Sequence, residues 1–459
     1  MSTPKHLQNL PHVVVLGAGF AGMYFCKTFR GNARITVVDR QNHHLFQPLL
    51  YQVAMAALSA PEIAEPIRTI FRNREEIVVL MEEAQKIDLE KREVVTDQCT
   101  LKYDYLVCGL GGTKTYFGNE QWEALAPGLK SLEDAMRMRR HLLSSFEKAE
   151  TTTDPEERKR LMTIVVVGGG PTGVELAGSM AELVKSVFKK DFRNIDTRDS
   201  RVVLVHSNER ILEEYPADLS QSGKEQLESL GVETILNNKV VDVQPQHVEL
   251  SDGTRIDTEN VLWGAGVKAN PITSTLGIEL ARGGRVPVDP DLSLASQGHP
   301  EVFFIGDIVS LKQEDGSPVP GVAPAAIQMG QHLGKMLQER LERQVMPSEG
   351  GDANKPFRYW DKGMMATIGR MRAVAWTGDI PLVRGLKLSG LPAWLGWLGI
   401  HILYLIGFRN RVAVMFAWVY SYLSFRRGAR IIIAPEETVA DRDPLDTAVQ
   451  PVGVASAHI

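Results

Sequence analysis

Apolar runs of about five residues, each closed by glycine or by an acid, recur along the chain and alternate with segments of helical period. His12–Gly22 reads HVVVLGAGFAG, a β-branched run and a glycine turn, with helical character following over Met23–Phe29. Arg34–Asp39, RITVVD, predicts a second strand that ends in an acid. The order strand, glycine turn, helix, strand is repeated from Thr163, TIVVVGGGPTGVELAGSMAEL, with glycines at 168, 170 and 173 and a second strand at Arg201–Val205. Leu101–Gly112 and Thr258–Val267 predict further strands ending in glycine turns, each after a polar, hairpin-like stretch, and read as returns from one unit to the other. Pro300–Asp307, PEVFFIGD, predicts a buried strand, followed by a proline-rich loop and a helix through about Arg343. Met346–Lys355 is a linker by composition, Phe357–Arg372 carries strand-like stretches, and Pro435–Ile459 is a polar tail.

The pattern changes after this point. Leu388–Phe408 is a 21-residue uncharged stretch, long enough by count to span a bilayer, but broken by Pro392 and by glycines 390, 396, 399 and 407. The next apolar run, Val412–Phe425, has only 14 residues and is too short to return. Trp394, Trp397, Tyr404, Trp418, Tyr420 and Tyr422 recur through both runs, and Arg409, Arg411, Arg426, Arg427 and Arg430 flank them. Aromatics at headgroup level with arginines on anionic lipid predict two helices resting in a membrane interface rather than crossing it.

Charge sharpens the contrast. The 459 residues carry 51 basic and 56 acidic side chains, so nothing in the whole-chain balance calls for nucleic acid. Between Arg370 and Arg430, by contrast, nine Lys or Arg face a single acid, Asp379. The three cysteines, Cys26, Cys99 and Cys108, form no CxxC pair, which argues against a disulfide scaffold, a thiolate metal site and a CxxC redox couple.

The glycine turns carry the chemistry. A pyrophosphate must approach the backbone closely, which a Cβ would block, and the N–H groups of a helix N-terminus stabilise its charge. With glycine at 40 of 459 residues, one GxGxxG arises by chance about 0.3 times. Two, each after an apolar strand and opening a helix, predict two dinucleotide sites. Asp39, 22 residues after Gly17, stands where a carboxylate accepts hydrogen bonds from a ribose. The second unit has His206 at that place, which leaves open a ribose contact, NADPH with His206, Arg210 or Lys239 tolerating a 2′-phosphate, or a histidine without a ligand.

The stretch DRQNHHLFQPLLYQVA after GAGFAG resembles the type II, non-pumping NADH:quinone oxidoreductases, as do VVVGGGPTGVELAG, VLWGAGVKANP, VFFIGD, GVAPAAIQMGQ and FRYWDKGMMATIGR. The likeness runs in order over about residues 10–430. It implies an α/β fold with two Rossmann-like domains and a C-terminal membrane-associating helical segment. The expected division is residues 1–115 and 286–345 for FAD, 116–285 for NAD(P)H, 356–430 for membrane and dimer contacts, and 431–459 as tail. The resemblance implies FAD contacts from Gly17, Gly19, Phe20, Ala21, Gly22, Asp39, Arg40, Ala84, Gly111, Asp307, Ala325 and Lys362. For the nicotinamide nucleotide it implies Gly168, Gly170, Pro171, Thr172, Gly173, Glu175, His206 and Gly266. Glu175 would lie near the nicotinamide and the flavin edge, Lys362 would add positive charge beside the flavin, and Gln328 would be the one polar quinone contact, since Pro324 replaces the first glutamine of the usual pattern.

The expected activity is hydride transfer from NADH to FAD and two-electron transfer to a membrane quinone, without proton pumping and without a metal. The resemblance further implies a homodimer on the cytoplasmic face of the cell inner membrane. The alternatives are a sulfide:quinone oxidoreductase, which needs redox cysteines, and a flavin- and NADH-binding sensor of the apoptosis-factor-like type with slow turnover.

Overall fold

The computed structural model describes residues 9–343, 355–424 and 428–432. Most of the expected linker 346–355, the tail 435–459, and Arg426 and Arg427 lie outside the described residues.

Two parallel sheets organise the molecule. The first is six-stranded, in the order Ser293–Leu294, His299–Phe304, Tyr105–Cys108, His12–Leu16, Arg34–Asp39, Ile77–Met81. Only Ser293–Leu294 runs antiparallel to its neighbour. Its central strand His12–Leu16 is buried along its whole length, which is why its sequence is a continuous apolar run rather than an alternation. The second sheet is Val232–Ile235, Arg201–Val205, Thr163–Val167, Asn260–Trp263, all parallel. In each sheet the strand before the glycine turn is flanked on both sides by strands reached in opposite directions, so each turn sits at a topological switch point, where such sheets bind ligands.

Antiparallel additions extend this frame. Ala84–Asp88, Glu93–Thr96 and Thr100–Lys102 form a small sheet before the return to the first domain, and Val240–Gln244, His247–Leu250 and Arg255–Asp257 form its counterpart in the second. Gly112–Lys114 pairs with Val267–Ala269 where the chain crosses between domains. The helix Phe20–Thr28 starts three residues earlier than the sequence predicts, at the residue after Gly19. It packs on Ala323–Glu342, where Cβ atoms at Gly330 and Gly334 would stand 2.3 Å and 3.1 Å from the carbonyls of Ala21 and Phe25.

The C-terminal part is built into the body. Met364–Gly369, Arg372–Trp376 and Lys387–Ser389 form a three-stranded antiparallel sheet. A Cβ at Gly178, on the helix Pro171–Glu182, would lie 1.8 Å from the Ile368 carbonyl oxygen, so only glycine lets that helix meet this sheet. The uncharged stretch from Leu388 is not one element: its start belongs to the strand, Leu391–Tyr404 is a helix, and a break over 405–407 precedes the helix Phe408–Ser424. Trp397, Leu405, Val414 and Trp418 join the core of the second domain, beside the short helix Leu50–Ala54. Among the described residues no helix is long and apolar enough to cross a membrane.

Candidate active site

The two switch points open onto one cavity of about 1720 Å³. Its walls come from both glycine turns, from the segment after His299–Phe304, from the first turn of Ala323–Glu342 and from the C-terminal sheet and helix.

The first glycine turn shows three distinct uses of glycine. Gly17 has φ +89°, and a Cβ there would stand 2.7 Å from the Gly109 carbonyl oxygen. A Cβ on Gly22 would collide with the Gly17 carbonyl at 2.0 Å, so this glycine closes the turn on itself. Gly19 caps the helix Phe20–Thr28 and has nothing within 4 Å of its Cβ position, which faces the cavity. The second unit repeats the scheme. Gly168 has φ +111°, a Cβ on Gly173 would lie 1.8 Å from the Gly168 carbonyl, and Gly170 is the open cap. Gly19, Phe20 and Ala21 line the first half of the cavity and Pro171 and Thr172 the second, whereas Gly22, Gly168, Gly170 and Gly173 shape the turns from outside the wall.

Asp39 and His206 occupy equivalent places and make the same bond. The Asp39 carboxylate accepts the Ala18 N–H at 2.7 Å and the Gln41 N–H at 2.8 Å, and it faces the cavity. His206 Nδ1 accepts the Gly169 N–H at 3.1 Å, and its ring lies 2.6 Å from where a Gly169 Cβ would be. Burial lowers its pKa, and an accepting Nδ1 requires the neutral ring. His206 therefore ties the loop down but supplies no positive charge for a 2′-phosphate, and it lies off the cavity wall, as do Arg210 and Lys239.

Arg40, Ala84, Gly111, Gly266 and Asp307 line the cavity. Ala325 does not; it is buried in the core, and Ala323, Pro324, Ala326 and Ile327 line the wall in its place, because the helix opens at Ala323. Gln328 also lies off the wall. Its Nε2 donates to the Trp360 carbonyl at 3.0 Å and its Oε1 accepts the Trp360 N–H at 2.9 Å, so both ends of the amide are spent on backbone.

Glu175 and Lys362 both line the cavity. Glu175 sits in the first turns of its helix, and burial pushes its carboxyl well above the usual range, against one N–H from Thr367. Lys362 donates to the Tyr404 hydroxyl at 3.1 Å and lies 4.9 Å above the Trp360 ring. His401 stacks on Trp397 at 4.0 Å, and burial takes its pKa down to about 4.

Sequence reading missed several wall residues. Tyr51, Tyr215, His401 and Tyr404 line the cavity. Lys114 binds Asp134 at 2.6 Å and Glu123 at 2.7 Å at its edge. Burial opposes the Lys114 charge, but the two carboxylates outweigh it and raise the pKa. The signal for Tyr51 was present: LYQVA is an apolar helix interrupted by a polar pair.

A family model described as pyridine nucleotide-disulphide oxidoreductase matches residues 11–330. The chain is 40% identical to the type II NADH:quinone oxidoreductase Ndh of Mycobacterium tuberculosis, over 91% of this chain and 89% of that one. It belongs to the type II NADH:quinone oxidoreductase family. The NdhA relative from the same organism is 38% identical over 94% of this chain and 91% of its own. Among solved structures, NDH2 from Plasmodium falciparum in complex with NADH superposes with a TM-score of 0.81 at 18% identity, over 93% of this chain and all of that one. The sulfide:quinone oxidoreductase of Aquifex aeolicus superposes less closely, with a TM-score of 0.67 at 16% identity over 93% and 96%. None of this family member's cysteines reaches the cavity: Cys26 and Cys108 are buried in the first domain, Cys99 is exposed, and all three are unpaired.

Proposed function

We propose that the chain is a peripheral membrane flavoenzyme that oxidises NADH and reduces a membrane quinone, without pumping protons. The observation that carries this reading is that two glycine-opened helices, Phe20–Thr28 and Pro171–Glu182, begin on the walls of one cavity that Glu175 and Lys362 also line. FAD, when bound, supplies the redox chemistry, taking a hydride from NADH and passing two electrons to the quinone.

The chain's own residues bind and orient. Gly17, Gly19, Phe20 and Ala21 offer a cradle free of Cβ at its open cap, suited to the FAD pyrophosphate. Asp39 has used two of its four acceptor sites on backbone and keeps two for ribose hydroxyls. Arg40, Ala84, Gly111 and Asp307 extend this half. The first turn of Ala323–Glu342 lines the cavity, so the positive end of that helix's dipole lies at the wall, where it stabilises negative charge. Pro171, Thr172, Glu175 and Gly266 form the nicotinamide half. Lys362, on the cavity wall, is held in place by the Tyr404 hydroxyl and the Trp360 ring. Because neither a cation nor an acid serves the second ribose from the place of His206, we assign NADH as the preferred donor.

The membrane reading rests on the outward face of the last two helices. Leu395, Ile400, Leu403, Phe408, Met415, Phe416 and Val419 are exposed while Trp397, Val414 and Trp418 point inward. An exposed apolar face of this kind marks a surface for lipid. We place this face on the cytoplasmic side of the inner membrane and assign the chain a homodimer, both from the family likeness. Mixing the FAD-loaded protein with NADH under argon should bleach the flavin, and a quinone should restore the colour. Failure to bleach would favour the sensor reading; bleaching by sulfide instead of NADH would favour the sulfide:quinone one.

A further inference from the structure

Gln52 is buried in the short apolar helix Leu50–Ala54, where an amide is costly unless both ends are paired. Its Oε1 accepts the Trp418 indole N–H at 2.7 Å, and its Nε2 donates to the Tyr51 hydroxyl at 2.8 Å. An indole can only donate, so the amide orientation is fixed: the oxygen faces Trp418 and the NH2 faces Tyr51. The backbone at this position is pinned as well, because the Gln52 carbonyl accepts from Ala57 at 2.7 Å and Leu58 at 3.1 Å. The Tyr51 oxygen accepts this bond, so its own O–H proton is not spent on Gln52. Tyr51 lines the cavity together with Glu175, and burial holds the phenol protonated.

We propose that Gln52 is a positioning residue for the quinone half of the reaction: gripped by Trp418, it turns the Tyr51 O–H into the cavity, where that group donates a hydrogen bond to a quinone carbonyl oxygen. The proposal rests on the reading given under Proposed function, and it deepens it by joining the outermost membrane-facing helix to the reacting centre. Gln52 touches no substrate itself. Its effect passes entirely through Tyr51, which separates it from a residue that merely fills the core.

The test compares the FAD-loaded wild type with Gln52→Met, Tyr51→Phe, the double variant and Trp418→Phe, using stopped-flow measurement of each half-reaction. Flavin bleaching by NADH should stay within about twofold, while reoxidation by a short-chain quinone slows about tenfold in Gln52→Met and in Tyr51→Phe, the loss of one positioned hydrogen bond. The double variant should be no slower than Tyr51→Phe alone. Trp418→Phe, which frees the amide to flip, should slow reoxidation about threefold and keeps the test open if Gln52→Met does not fold. In protein labelled with 5-fluorotryptophan, the fluorine resonance assigned to Trp418 should shift in Gln52→Met. Multiplied losses in the double variant, equal slowing of both half-reactions, or an unmoved Trp418 resonance would each overturn the proposal. A wild type whose bleached flavin no quinone reoxidises would instead sink the functional reading beneath it.

Discussion

At the scale of single residues, the two dinucleotide units differ less than their sequences suggest. Asp39 and His206 both accept an N–H from the residue after the first glycine of the turn, one as a carboxylate and one as a neutral ring. The carboxylate lies on the cavity wall with two acceptor sites unspent, whereas the His206 ring lies off the wall and keeps only its Nε2–H. The physical distinction was invisible in sequence, where His206 read as a possible cation; burial decides it by lowering the pKa. Turnover should therefore favour NADH over NADPH by at least about tenfold in kcat/KM, and His206→Asp should widen that ratio by repelling a 2′-phosphate. Glu175 is the opposite case. Its folded pKa lies above the unfolded value of about 4.3, so the native state binds more protons, and stability falls as pH rises from the unfolded pKa toward the folded one. Glu175→Gln keeps the acceptor for the Thr367 N–H and removes that loss. Its Tm should exceed that of the wild type by a few degrees at pH 8 and match it near pH 4, while quinone turnover drops. A Tm difference that is the same at both pH values would refute the assignment of a buried, protonated carboxyl.

At the scale of elements, the parallel strands were legible because each is buried on both faces and so reads as an unbroken apolar run, as at His12–Leu16 and Thr163–Val167. The strands Arg34–Asp39 and Arg201–Val205 stand where the sequence places them. The helix starts were less legible, since Gly19 and Phe20 offer no side-chain capping group, and the helix Phe20–Thr28 has no side-chain cap. What no sequence pattern could give was the role of Gly178. It reads as a mild flaw in a helix, but it is the point where that helix touches the Ile368 carbonyl. Gly178→Ala should destabilise the FAD-loaded protein by about 1–3 kcal/mol in chemical denaturation, through overpacking. An unchanged midpoint would mean that the helix and sheet can separate freely. Gln328 taught the converse lesson: a residue chosen by motif is held by the Trp360 backbone.

At the scale of the whole molecule, the overall charge of −5 conceals an acidic body and a basic, apolar end. The end is not a detachable anchor. Trp397, Val414 and Trp418 complete a core that begins at Phe46, so truncation before these helices would open the body as well as remove the membrane face. Substitutions on the outer face separate the two effects. Leu403→Glu with Phe416→Glu should abolish sedimentation with vesicles containing anionic lipid while leaving Tm within about 2 °C, since both side chains are exposed. Wild-type binding should weaken between 0.05 and about 0.5 M salt without vanishing, because screening removes the arginine contribution and spares the apolar one. Complete release by salt would assign the attachment to charge alone.

The hydrogen bond between Gln52 and Trp418 joins positions 366 residues apart. At about 5–20 residues per second, a ribosome needs roughly 20–70 s to make the second partner after the first. Throughout that interval the Leu50–Ala54 helix has no indole to seat its amide, and the apolar core around it lacks its last wall. The lipid-facing surface and the reaction centre thus become complete in the same late moment of synthesis, and a nascent chain halted before Trp418 can neither dock on a bilayer in the native way nor present an ordered Tyr51 to a quinone.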